Sequence, residues 1–109
     1  MVGLDLRPEW LAMVHHILAT YLPEAEVLAH GSRVTGRAHE GSDLDLVVRN
    51  PHNLVIPAHN LGEVRDAFSE SNLPILGDIL EWARIPDNFR EEIERVGVVV
   101  FSGEVGRQE

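Results

Sequence analysis

Two short apolar runs, Val27-Leu28-Ala29 and Leu46-Val47-Val48, stand either side of a polar stretch that opens with Gly31-Ser32 and closes with Asp43-Leu44-Asp45. Apolar runs of this length bounded by turn residues read as buried strands. A small pair directly after a strand can turn the chain and aim backbone N–H groups at an anion, especially where a helix starts. Carboxylates at positions i and i+2 of a strand project from the same face, because the side-chain period is two. One end of the stretch therefore offers a place for phosphate and the other a place for hard cations. Together they point to metal-assisted chemistry on a nucleotide.

The rest of the chain fits around these two strands. Trp10, Leu11, Val14, Ile17, Leu18, Tyr21 and Leu22 make one apolar stripe at helical spacing, so 8–22 is expected to be an amphipathic helix. Pro8 is tolerated in its first turn and Pro23 stops it. The spacing predicts strands over 27–30, 43–49, 75–80 and 98–101. A helix over 60–71 places Leu61, Val64 and Phe68 on one face, with Asn60 and Glu63 as a variant capping box. A last short helix carries Phe89, Ile93 and Val96, with Asp87 as its cap and Gly97 as its end. Residues 50–59 read as a loop and 102–109 as a loose tail. The expected architecture is α/β (α+β), a small mixed β-sheet flanked by helices in one domain over residues 1–109.

Composition narrows the function. Nine basic against 18 acidic residues give a net charge of −9, and every basic residue apart from histidine is arginine. Nucleic acids are bound mainly through Lys and Arg on phosphates, so direct binding of DNA or RNA is not expected. Cysteine is absent, which excludes disulfides and thiolate metal sites. No apolar run reaches the ~20 residues that span a bilayer. Residues 1–7 lack the basic and apolar regions of a secretory signal, so a cytoplasmic protein is expected.

Taken alone, Asp43 and Asp45 are also readable as turn residues at an exposed strand start, and Gly31-Ser32 as a tight turn with Ser as a helix cap. Their joint arrangement strengthens the site reading: strand, Gly-Ser, ten residues, Asp-x-Asp, strand. The run from Gly31 nearly fits the phosphate-binding form G-x-x-x-x-G-K-[ST], but Arg37 and Ala38 occupy its last two positions. Alanine cannot hold a metal, so that loop is rejected. His15 and His16, adjacent on a helix, cannot face one ion, and His52 and His59 fall in a loop; the histidines are read as structural or surface groups. Asp78 interrupts an otherwise apolar strand, and strand alternation puts Glu81 on the opposite face.

As a set, Gly31, Ser32, Arg33, Gly36 and the run Ser42-Asp43-Leu44-Asp45-Leu46 resemble the motif of the DNA polymerase beta-type nucleotidyltransferase superfamily. The chain is similar above all to its minimal members, the MntA-like antitoxins that pair with HEPN-domain toxins. The resemblance extends through the 75–82 strand and the Ile85-Pro86 segment. It implies Asp43, Asp45 and Asp78 as catalytic and Mg2+-binding residues, with Asp78 matching the family's third carboxylate. It further implies Gly31, Ser32, Arg33 and Ser42 at the nucleotide, ATP as donor, and a hetero-oligomer with a HEPN toxin adenylylated on tyrosine. With 109 residues an acceptor held in trans is expected, with the N-terminal helix or the Trp82 region as interface. Two alternatives stay open: a binding module that neutralises its partner by contact, and a nucleotidyltransferase acting on a small molecule such as an aminoglycoside or on RNA ends.

Overall fold

A computed structural model describes residues 4–39, 41–58 and 60–103. Its elements run α1 (Pro8–Tyr21), β1 (Glu26–His30), α2 (Ser32–Thr35), β2 (Leu44–Arg49), α3 (Leu61–Ser69), β3 (Leu76–Glu81), a 3-10 turn (Trp82–Arg84), α4 (Asp87–Val96) and β4 (Val98–Ser102). The sheet is mixed, in the order β3-β2-β1-β4. Strand β1 pairs antiparallel with both β2 and β4, and β2 pairs parallel with β3. A parallel pair needs a crossover, and α3 supplies it. No helix among the described residues is long and apolar enough to cross a membrane.

Alternation along the strands sorts the core into two layers. Val27, Ala29, Leu44, Leu46, Val48 and Ile79 face one way and pack with α1 and α3 through Val14, Leu18, Val64 and Phe68. Leu28 and Val47 face the other way, where Trp82 and Ile93 of α4 cover them in a much smaller cluster. The first face is closed. The second carries only this smaller cluster, with Asp45 half-buried and Asp78 exposed on it.

Several local expectations are corrected. Asn60 does not build a capping box: it sits at φ 66°, makes no side-chain cap bond, and its Nδ2 donates instead to the Tyr21 carbonyl. The left-handed backbone turns its side chain away from the helix start and pins the loop to α1. Asp87 is the first residue of α4 rather than its cap, and it pairs with Arg90. Strand β4 runs to Ser102, and Gly103 is buried with its N–H bonded to the Ala25 carbonyl. Residues 102 and 103 are therefore not part of a loose tail, and residues 104–109 lie outside the described residues, as does His59. Trp82 is a core residue, with the Arg49 guanidinium 4.7 Å from its ring centre.

Candidate active site

The antiparallel pairing of β1 and β2 sets His30 directly opposite Asp45. This register places Gly31, the next residue, at the same end of the sheet. Gly31 has φ 86° and ψ −157°, a conformation that side-chain-bearing residues scarcely adopt. A Cβ there would lie 3.0 Å from Oδ2 of Asp45. Glycine is thus required twice over, for the turn and for the carboxylate beside it. Ser32, half-buried, then opens the short helix α2.

Strand β3 approaches from the other side through an irregular register. Leu44 pairs with Leu76 and Leu46 with Ile79, so one residue of β2 faces two of β3. Asp45 is that one; Gly77 and Asp78 are the two. Bulges of this kind re-aim side chains next to active sites. The Asp78 N–H donates to Oδ1 of Asp45 at 3.1 Å. Leu80, two residues on, belongs to the α4-side cluster, which puts Asp78 on the same face as Asp45. A Cβ at Gly77 would come within 2.9 Å of the Asp43 Cβ. Asp43, Asp45 and Asp78 therefore lie close together at one end of β2, Asp43 and Asp78 exposed and Asp45 half-buried. Glu81 is turned away and pairs with Arg84.

Across the described residues, no three acidic or histidine side chains form a ready-made metal cage. The donor set nonetheless fits Mg2+, which takes only one or two protein carboxylates per ion and fills its remaining positions from water and substrate phosphate. The space kept clear by Gly31 and Gly77 lies against those carboxylate oxygens.

A family model described as the central palm domain of poly(A) RNA polymerase, mitochondrial-like, matches residues 3–104. The chain is also 43% identical over 97 residues to the probable protein adenylyltransferase MntA of Haemophilus influenzae, across 89% of this chain and 83% of that protein. The chain belongs to the minimal nucleotidyltransferases. Its fold, a four-stranded mixed sheet flanked by helices, is consistent with theirs.

Two residues of this nucleotidyltransferase expected at the nucleotide, Arg33 and Ser42, are buried. Arg33 is only 4% exposed, and its guanidinium donates to the carbonyls of Ser42, Asp5 and His39 at 2.9–3.2 Å. Ser42 is also buried, and its hydroxyl oxygen accepts the His39 N–H at 2.9 Å. Both hold the loop between α2 and β2 in shape, because a buried backbone must satisfy its polar groups locally.

Two other residues escaped the sequence reading. Gly77 is one; a glycine inside a strand pattern is a known sign of a bulge or close approach. His30 is the other. Its Nε2 is buried without a hydrogen-bond partner, and its ring meets Phe89 of α4 edge-on at 5.4 Å. Burial pushes its pKa down, while the negative charges of Asp45 and Asp78 pull in the opposite direction and only partly offset it. Nothing in the pattern of the six histidines separated it from the rest; the strand register does.

Proposed function

We propose that this nucleotidyltransferase is a Mg2+-dependent protein adenylyltransferase, moving AMP from ATP to a tyrosine hydroxyl of a HEPN-type toxin and so acting as its antitoxin. The observation that carries the reading is the closeness of Asp43, just before β2, Asp45 of β2 and Asp78 of β3, beside the Gly31 turn. The likeness to the Haemophilus relative, a probable protein adenylyltransferase, supports a protein as acceptor. Donor, cation and partner come with that reading, as does a place in the cytoplasm, where ATP and a toxin would be met.

Asp43 and Asp45 would hold the cations against the triphosphate, with Asp78 completing the second position. Bound there, the ions would neutralise charge building on pyrophosphate and lower the pKa of the incoming hydroxyl. Asp78, exposed on the edge strand β3, would accept the hydroxyl proton as the oxygen attacks the α-phosphorus and pyrophosphate leaves. Ser32 and the backbone after Gly31 would receive the β- and γ-phosphates. Positioning and electrostatics account for such a reaction without a covalent enzyme intermediate.

Incubation with α-labelled ATP, Mg2+ and the protein encoded by the neighbouring gene tests it, beside the double variant Asp43→Asn/Asp45→Asn. Label on the neighbour that vanishes with the variant is the expected result. Protection of the neighbour without label, equally by the variant, would replace transfer by contact inhibition. Label confined to added aminoglycoside or RNA would replace the acceptor.

A further inference from the structure

We propose that Arg33 is a positioning residue for Asp43, its buried guanidinium clamping three carbonyls so that the Ser42–Asp43 peptide presents the carboxylate at a fixed place. The inference rests on Asp43 being a cation ligand, as read above, and assigns Arg33 a task other than binding phosphate.

Asp43 precedes β2 and stands outside the sheet ladder, so its direction must be set by its neighbours. On one side, the carbonyl of Ser42 receives both Nε and Nη2 of Arg33, at 3.1 and 3.0 Å. On the other, the Leu44 N–H bonds to the Ile75 carbonyl at 2.7 Å. Because the peptide unit is planar, gripping one carbonyl and the next amide leaves Asp43 little freedom. The same guanidinium reaches His39 through Nη2 and Asp5 through Nη1, and the Asp5 N–H returns a bond to the Arg33 carbonyl at 2.8 Å. A planar fork of five donors suits three carbonyls from two segments; a lysine ammonium has three donors at one point. Arg33 thus ties the segment before α1 to the loop that leads into β2. Ordering that loop in advance removes an entropy cost that cation binding would otherwise carry.

The test is Mn2+ binding followed by electron paramagnetic resonance, on the full chain with a non-hydrolysable ATP analogue, for wild type, Arg33→Gln, Arg33→Lys, Asp43→Asn and Arg33→Gln/Asp43→Asn. Outer residues that orient ligands typically change metal affinity by about 10–100-fold. Arg33→Gln is expected to weaken Mn2+ by about tenfold and Arg33→Lys by less, with Arg33→Gln adding less than about twofold once Asp43 is gone. Wild-type Mn2+ affinity in Arg33→Gln, with Asp43→Asn weak, would overturn the positioning role. An equal further loss in the Asp43→Asn background would do the same, since Arg33 would then act independently of Asp43. Unchanged Mn2+ affinity in Asp43→Asn would instead remove the cation reading beneath it. If Arg33→Gln does not fold, Arg33→Lys decides alone: weakened Mn2+ binding supports the proposal, and unchanged binding overturns it.

Discussion

A side chain at Gly77 and the carboxylate of Asp45 cannot occupy the molecule together, because a Cβ at position 77 would overlap Oδ1 of Asp45. That oxygen is also the acceptor for the Asp78 N–H. One glycine therefore lets the two strands that carry the aspartates approach each other.

Gly77→Ala is expected to push Asp45 and Asp43 out of place or to undo the bulge in β3. Overpacking of this kind costs about 1–3 kcal/mol. Transfer of label should fall at least about tenfold, since a displacement of ~1 Å at a reacting site can cost ~100-fold. Urea unfolding and the labelling assay measure the two effects. Wild-type values in both would show that the strands do not meet as described.

Asp43→Asn, Asp45→Asn and Asp78→Asn are each expected to abolish most of the transfer, by about 100-fold or more, while the protein stays folded. Losses of that size follow when one group that stabilises developing charge is removed. Asparagine at 45 keeps an oxygen for the Asp78 N–H, so the β2–β3 contact survives. Melting temperatures in the absence of divalent cations should stay near wild type, because each change takes a like charge out of one crowded corner. A large drop in melting temperature would recast these aspartates as structural residues.

Much of this arrangement was legible in the residues, for reasons specific to each. The apolar runs of β1 and β2 are buried on both faces and uninterrupted, so their strands showed directly. Asp45 falls inside the expected strand, so alternation set its face; Asp43 stands just before β2, so the two-residue spacing alone does not fix its direction. For Arg33 the sequence leaves two uses open, a ligand's charge or the chain's own carbonyls, and its burial is not written in the motif. Whether its donors point outward or into carbonyls depends on the path of residues 37–42, which no local pattern fixes. The bulge opposite Asp45 and the register that brings in His30 are properties of strand pairing; neither is written in a single strand.

Removal of divalent cation gives a further test. If Mg2+ binds the folded chain and not the unfolded one, saturation raises stability by mass action, by about 2.7 kcal/mol at a hundredfold excess over Kd. Calorimetry with Mg2+ and the ATP analogue, against the same sample with a chelator, should show the melting temperature rise. Asp43→Asn/Asp45→Asn should lose that rise. A rise of equal size in the double variant would place the cation elsewhere.

His30 predicts a pH dependence whose sign follows from its lowered pKa. Unfolded, it titrates near the ordinary value of 6.5; folded, it holds its proton less readily. As pH falls below about 6.5, the unfolded chain gains a proton that the folded chain refuses, so stability drains away through the interval down to the folded pKa. Above that interval the contribution of His30 is constant. Asp45 and Asp78 work against the shift, so removing either charge should lower the folded pKa further and widen the interval. Urea midpoints at pH 7.5 and 5.5 are expected to differ more in Asp45→Asn than in wild type, and less in His30→Gln. The opposite order would mean that the imidazole gains more from its carboxylate neighbours than it loses by burial against Phe89.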